Sequence, residues 1–460
     1  MSELYNQFLE DADKNAFNPE YRKRIKYNIS KYDESVVRGK QQYHDLDLAK
    51  DRAAFIKHKV INELEKYLIE FESNFISHGG KVIWASDEKD AIREIIKILK
   101  KHEVKTVVKS KSMTTEEIEL NEHLKKNKIE SVETDLGEFI VQIADEKPFH
   151  IVTPAMHKSK QDVSELFNSK FGTPIDNTPE DITVFVRKLL REKFLSAEAG
   201  ITGANFLIAD IGGIALTENE GNGMMSMSFP GIHIVLVGIE KVIPSIKDLD
   251  LFWPLLATHG TGQNMSVYNS IVTGPRQEGE KEGPSEMYVV LLDNGRTKVL
   301  ENSEQRRVLS CIRCGACLNV CPVYKTVGGY TYNATYSGPI GSVITPFFNG
   351  FKDYKHLSFA STLCGSCTEV CPVRINLHEL LLLNRRDAVK KGYTTGKDKL
   401  MMWTWKKMMS KRSHMEYVTP GVKNFLMKKF VAKTWGDRRE LPVLSPKSFR
   451  QMWEERKGMK

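Results

Sequence analysis

All seven cysteines of this 460-residue chain fall between positions 311 and 371. Cys311, Cys314, Cys317 and Cys321 follow the spacing C-x2-C-x2-C-x3-C, and Pro322 comes next. At that spacing three thiolates from one tight loop suit three corners of an iron–sulfur cubane. The fourth cysteine lies past the loop and points to a neighbouring cluster. Gly315 permits the tight backbone, and Pro322 turns the chain away after the last ligand. A second run, Cys364, Cys367 and Cys371 before Pro372, repeats the last three positions, but Ser361 stands where its first cysteine would be.

Crossed ligation assigns one cluster to Cys311, Cys314, Cys317 and Cys371, and a second to Cys321, Cys364 and Cys367. The expected cofactors are two [4Fe–4S] clusters, the second labile at one corner. Three outcomes stay open at that corner: a [4Fe–4S] cluster with Ser361, water or substrate on its fourth iron, a [3Fe–4S] cluster, or a ligand from a partner subunit. An alkoxide binds iron, but the high pKa of serine makes it a poor substitute for thiolate. Zinc sites usually join separated C-x2-C pairs into one tetrahedron. Four cysteines within eleven residues, followed by a near-copy, point instead to iron–sulfur chemistry. Two clusters in one fold pass electrons one at a time.

The rest of the composition narrows the setting. An odd cysteine count confined to one region does not make a disulfide framework, and reduced thiols committed to metal fit a cytoplasmic location. The N-terminus, MSELYNQFLEDADKNAF, has no apolar signal-peptide core, and no apolar run approaches the roughly 20 residues that span a bilayer. The net charge of +8 is uneven: residues 396–460 hold 17 Lys and Arg against 6 Asp and Glu, so the rest sums to −3. Without a nucleic-acid-binding module beside it, this basic tail reads as a solvated helical segment that docks on a partner, and no nucleic acid is expected.

The elements that must position the cysteines follow from periodicity. Residues 1–78 read as helical, with apolar residues at helical spacing from Leu48 to Phe75. Short apolar runs at Lys81–Ala85, Thr106–Lys109 and Ser131–Thr134 alternate with helical patterns at Glu88–Lys101 and Glu116–Lys126. That alternation predicts an α/β domain with a mostly parallel sheet. Asn205–Ala209, Ile214–Thr217, His233–Val237 and Met287–Leu292 are further strand candidates, and the domain closes near Leu300. The expected division is a helical segment 1–78, an α/β domain 79–300, a mainly helical ferredoxin-like domain 301–395 with two clusters, and a basic helical tail 396–460. In that tail Met401, Met402, Trp403, Trp405, Met408 and Met409 form apolar bulk that suits its own chain, a partner groove or a peripheral membrane contact.

Other polar clusters admit bland readings. The glycines and acids of residues 200–222 are ligand-pocket or turn residues, and no dinucleotide or phosphate-loop fingerprint is present. Lys105, Lys109 and Lys111 follow a strand end, with Ser110, Ser112 and Met113, and make an anion site or a solvated loop. His150, His157 and His233 match no metal spacing. The Gly- and Tyr-rich stretch between the cysteine runs reads as cluster cover.

The segments KSKSMTTEE (109–117), TDLGEFIVQ (134–142), GITGANFLIADIGGIALTENEGN (200–222) and PGIHIVLVGIEKVIP (230–244), followed by the two cysteine runs and KSFRQMWEERK (447–457), resemble the lactate-utilization iron–sulfur protein B family. The resemblance spans nearly the whole chain. It implies a lactate-utilization domain of the sugar-isomerase and CoA-transferase type, and the same cluster ligands by position, with Ser361 part of the pattern. It further implies an electron-transfer subunit of an NAD-independent system oxidising L-lactate to pyruvate, beside a cysteine-rich partner and a second lactate-utilization-domain protein. A quinone or soluble carrier would take the electrons. The opposing reading is a redox-sensing, organic-acid-binding module without turnover. Neither residues nor resemblance assign a catalytic residue.

Overall fold

Apolar alternation in the middle of the chain becomes ten strands in a computed structural model that describes residues 3–436 and 439–458. In chain order they are β1 Lys81–Ala85, β2 Thr106–Lys109, β3 Glu130–Glu133, β4 Ala199–Thr202, β5 Phe206–Ile208, β6 Gly213–Glu218, β7 Ile232–Gly238, β8 Val242–Ile243, β9 Tyr268–Val272 and β10 Glu286–Leu292. Six of them pair in the order β1-β10-β7-β4-β2-β3, every pair parallel. β7 is buried along its whole length, as expected of a central strand covered on both faces. Ile232, Ile234 and Leu236 face one core with α5 (Glu88–Lys101), and Val235 and Val237 face another with Phe71 and Phe75. The first helix to follow a strand starts where the sequence places it because Asp87 caps it, accepting from the Asp90 N–H at 2.9 Å, while Lys100 and Lys101 close its far end.

Two strand candidates leave this sheet. β5 and β6 form an antiparallel pair within a second sheet, ordered β8-β5-β6-β9. Only a short turn joins them, with Gly212 at φ +55°. A turn this short cannot supply the crossover that a parallel pair needs.

The N-terminal segment is helical throughout its elements: α1 Glu3–Ala16, α2 Pro19–Gly39, α3 Leu46–Asn62 and α4 Leu64–Ser77. The apolar run Leu48–Phe75 is split at Glu63 (φ −117°, ψ 31°). The break redirects the faces: Val60, Ile61, Leu64, Leu68 and Phe71 are buried, while Phe55 and Ile69 are exposed. A similar break at Glu119 (φ 49°) divides the predicted helix 116–126 into Met113–Glu117 and Leu120–Lys126. Leu120 and Leu124 stay on the sheet core, and Glu117 turns to Arg296.

The chain divides into two compact units, Met1–Ala388 and Val389–Lys460. In the first, one continuous core joins Phe8, Ile25 and Ile29 to Ile208, Phe252, Leu318, Ile340 and Leu381, so the N-terminal helices and the cysteine region share an interior. The second unit is helical. Its helix Gly396–Met409 begins in a Thr395–Asp398 capping box and has no buried residue. Among the described residues no helix is long and apolar enough to cross a membrane.

The sheet and the cysteine region meet in a buried ionic network. Arg296, just after β10, pairs both guanidinium nitrogens with Glu117 (2.9 and 3.0 Å) and its Nε with Glu240, just after β7. Arg313 reaches the other Glu240 oxygen at 3.3 Å, and the Tyr336 hydroxyl donates to Glu117 at 2.7 Å. Arg296→Met removes the partner shared by two buried carboxylates, a loss on the order of 3–5 kcal/mol. The expected result is a thermal midpoint lower by roughly 5 °C or more in circular dichroism. Arg386→Met, which cuts a pair at 2.6 Å with the exposed Glu304, leaves the midpoint nearly unmoved.

Candidate iron–sulfur site

The two cysteine runs fold into the same loop twice. In the first, the Arg313 N–H donates to Cys311 Sγ at 3.4 Å, and Arg313 (φ 61°) and Gly315 (φ 80°) are left-handed. A short helix, Ala316–Val320, then leads to Cys321 (φ −75°, ψ 119°). In the second, the Leu363 N–H donates to Ser361 Oγ at 3.2 Å, with Leu363 at φ 54° and Gly365 at φ 85°. The helix Ser366–Val370 leads to Cys371 (φ −62°, ψ 120°). Ser361 Oγ therefore holds the place in its loop that Cys311 Sγ holds in the first.

Cys311, Cys314, Cys317 and Cys371 line one cavity, closed by Ile151, Ile312, Ile340 and Ile375. Burial first, and then the neighbouring Cys311, push the thiols of Cys314 and Cys317 well up. Burial raises Cys371 to about 11, and Cys311 adds to the rise. Cys321, Cys364 and Cys367 form the other group. Burial raises Cys367 to about 11, with Cys321 and Cys364 as the charged neighbours that add to it. Cys364 is the exposed member; its hydrogen bond with Ser366 (3.6 Å) lowers its pKa. Backbone N–H groups point at the thiols, from Tyr324 to Cys321 (3.5 Å) and from Ile375 to Cys371 (3.3 Å).

This donor set fits clusters of iron and sulfide. Soft thiols ring an apolar cavity, and N–H donors and cations answer the charge that thiolates would carry. A single zinc ion at about 2.3 Å from each sulfur would draw its ligands within about 4 Å of one another. Among the described residues no three His, Cys, Asp or Glu side chains gather in that way.

Positive charge surrounds Cys311. Lys57 donates to the carbonyls of Glu240 (2.7 Å) and Val242 (3.1 Å). Burial lowers Lys57 to about 7 and Lys241 to about 8, and the Cys311 thiol acts to raise both. Burial alone would raise the Glu240 carboxyl; Arg296, Arg313 and Lys241 outweigh it and hold it at about 2. Arg313 also stacks over Tyr336, 4.5 Å from the ring centre. Tyr332, Tyr336, Ile340 and Val343 are buried, so the Gly- and Tyr-rich stretch does cover the thiols. Its sequence did not reveal the pairing of Arg313 with Glu240, because the two are far apart along the chain.

The other candidates resolve into structure. Lys109 is buried against Glu133 (2.8 Å) and Glu116 (3.2 Å), which leaves its charge fully answered. Ser112 caps the helix Met113–Glu117, and Lys111 donates to the Val152 carbonyl. In the glycine-rich run Asn205 accepts from the Thr217 N–H (2.8 Å), and Glu218 accepts from Gly223 and Met224 (2.6 and 2.7 Å). These side chains hold turns. His157 bonds Glu146 (2.7 Å) and His233 bonds Thr202 (2.9 Å). His150 is different, because it reaches the first cysteine loop. Its Nδ1 accepts from the Val152 and Thr153 N–H groups (3.0 and 3.2 Å), which places the proton on Nε2. Burial, then Lys111, lowers its pKa to about 3, so the ring is neutral. A Cβ on Gly315 would lie 3.3 Å from His150 Cε1.

Comparison with known proteins agrees with this layout. Residues 68–292 match the LUD domain, and residues 307–375 match the 4Fe-4S dicluster domain. The lactate utilization protein B of Bacillus pumilus (strain SAFR-032) is 41% identical over 420 residues, 87% of each chain. Its counterpart from Bacillus thuringiensis (strain Al Hakam) is 42% identical over 414 residues, again 87% of each. A crystal structure of a DUF162 family protein from Deinococcus radiodurans covers 50% of this chain and 98% of its own at 14% identity, with a TM-score of 0.27, too low to bear on the fold. With relatives this similar over most of its length, the chain belongs to the lactate utilization protein B family.

Proposed function

We propose that this chain carries electrons in the oxidation of L-lactate to pyruvate, as the iron–sulfur subunit of an NAD-independent complex. The observation that carries the reading is the doubled cysteine loop, with its two separate thiol groups. The name of the curated relatives supports lactate as the substrate.

In this reading Cys311, Cys314, Cys317 and Cys371 hold one [4Fe–4S] cluster. Cys321, Cys364 and Cys367 hold the second, with Ser361 at its fourth corner. Such clusters, when bound, supply one-electron oxidation and reduction. Converting L-lactate to pyruvate releases two electrons and two protons, so two one-electron centres match the stoichiometry. The chain's own residues set the environment. Ile151, Ile312, Ile340 and Ile375 exclude water from the first thiol group, and Arg313 and Lys241 bring positive charge to Cys311. The exposed Cys364 gives the second group its contact with solvent, where a partner or carrier would meet it. The partners in this reading are a cysteine-rich subunit and a second LUD-domain subunit, and electrons leave to a quinone or soluble carrier.

Electron paramagnetic resonance of the anaerobically purified native assembly, before and after L-lactate, tests the reading. Reduced-cluster signals should appear with lactate. Signals that dithionite produces and lactate does not would reject lactate oxidation and favour a redox-sensing module that binds an organic acid. The fourth corner has its own test. Ser361→Cys places a thiol in a loop already shaped like that of Cys311, so the second cluster should lose iron more slowly in air. Iron loss at the wild-type rate would remove Ser361 from that corner.

A further inference from the structure

A polar cavity of about 320 Å³ opens between α2, residues 153–156 and the end of the helix Leu249–Thr261, lined by Asn28, Lys31, Tyr32, Ser35, Thr153 and Thr261, with Met156 as its apolar member. Its lining holds one ionised side chain, Lys31, and no carboxylate. Lys31 makes a 3.7 Å contact with Glu34, both more than half exposed, and its ammonium lies 5.5 Å from the Tyr27 ring centre, two surface contacts too weak to commit it. Four hydroxyl-bearing side chains and an amide complete the wall. One cation among hydroxyls, with its acidic neighbour Glu34 exposed and outside the lining, suits a small anion that carries a hydroxyl or carbonyl of its own.

The cavity lies behind the first cysteine loop, and contacts on two sides show it. Ile151 lines the thiol cavity, and Thr153, two residues on, lines the polar one. The Thr153 hydroxyl lies 3.2 Å from His150 Nδ1, and the His150 ring abuts Gly315 in the cysteine loop. On the other side, Thr261 follows Gly260, where a Cβ would sit 3.2 Å from the Cys314 carbonyl oxygen. α2 is pressed tightly on this turn: a Cβ on Gly262 would meet Ser35 at 2.2 Å.

We infer that this cavity binds a small 2-hydroxy or 2-oxo carboxylate, with Lys31 on the carboxylate and the Tyr32 and Thr153 hydroxyls on the neighbouring oxygen, behind the backbone of the first cysteine loop. The inference rests on the lactate reading for the identity of the ligand; the cavity and its lining stand apart from it.

Isothermal titration of L-lactate and pyruvate into the anaerobically purified full-length chain tests it, with cluster reduction by L-lactate recorded on the same samples. Lys31→Met should weaken binding at least about ten-fold, as expected for a lost charge-assisted hydrogen bond. Lys31→Arg should restore most of it, and Tyr32→Phe should show a smaller loss. Lys31 is exposed on a helix surface, and iron content equal to wild type confirms that each variant is intact. Wild-type affinity in Lys31→Met, with lactate still reducing the clusters, overturns the cavity and leaves the electron-transfer reading standing. Weakened binding in Lys31→Met, with no reduction of the clusters in either protein, supports the cavity and rejects lactate oxidation. No measurable binding of either ligand to the wild-type chain overturns the cavity whatever the clusters do.

Discussion

Glu240 is a carboxylate with no access to water, and the arrangement around it ties the parts of the first unit together. It sits just past the end of β7 and is held ionised by Arg296, Arg313 and Lys241. Arg296 draws in Glu117 from the helix after β2, and Arg313 draws in the first cysteine loop. Lys57 of α3 fastens to the Glu240 carbonyl. Burying this many charges costs desolvation that a matched apolar interface would avoid, so stability is a poor reason for it. Register is a better one. A loop tied through Arg313 to Glu240, a carboxylate itself held by an Arg296 that grips Glu117 in two-pronged fashion, has one seat, and the cysteines inherit that precision. The charges are also unequal. Arg296, Arg313 and Lys241 face Glu117 and Glu240, and the surplus of positive charge lies where Cys311 thiolate would need it.

The two thiol groups differ in a way that their shared loop geometry makes sharper. Left-handed residues recur at Arg313 and Leu363 and at Gly315 and Gly365, and each first position accepts the N–H two residues on. Chain geometry is thus held constant while the side chain changes from sulfur to oxygen. Exposure changes as well. The first group is enclosed by isoleucines, and the second carries Cys364 at the surface. In a low dielectric a change of charge is costly and slow to be answered by solvent, whereas an exposed centre is reached readily by water, oxygen and partners. One enclosed group and one open group give the pair an inside and an outside.

What the sequence conveyed was local. The cysteine spacing, the strands at Lys81–Ala85 and Thr106–Lys109, and the capped helix Glu88–Lys101 each carry their signal within a dozen residues. The failures were contacts between distant segments. Lys109 reads as a strand-end cation until Glu133, on the neighbouring strand, takes its charge. β5 and β6 read as further strands with no sheet attached to them, and only their pairing places them in the second one. His150 looks like any isolated histidine, since its neighbour Gly315 is far along the chain. Arg313 was visible inside the cysteine motif, but nothing nearby announces Glu240 as its partner.

The N-terminal helices carry this logic furthest. Helices α1 and α2 precede the sheet, yet they close over the cysteine region. Phe8 meets Tyr332 edge-on, Asn15 donates to the Val327 carbonyl and the Thr331 hydroxyl, and Asp33 pairs with Lys325 at 3.3 Å. The segment gripped here runs on directly from Cys321 and Pro322. The same α2 then supplies Asn28, Lys31, Tyr32 and Ser35 to the polar cavity. One helix therefore holds the chain leaving one thiol group and walls the space behind the other. A sheet with the cysteine loops seated on its edge would leave those loops open on the far side. Helices from the N-terminal part of the chain close that side, which explains why α1 and α2, without a single cysteine, share one core with the cysteine region.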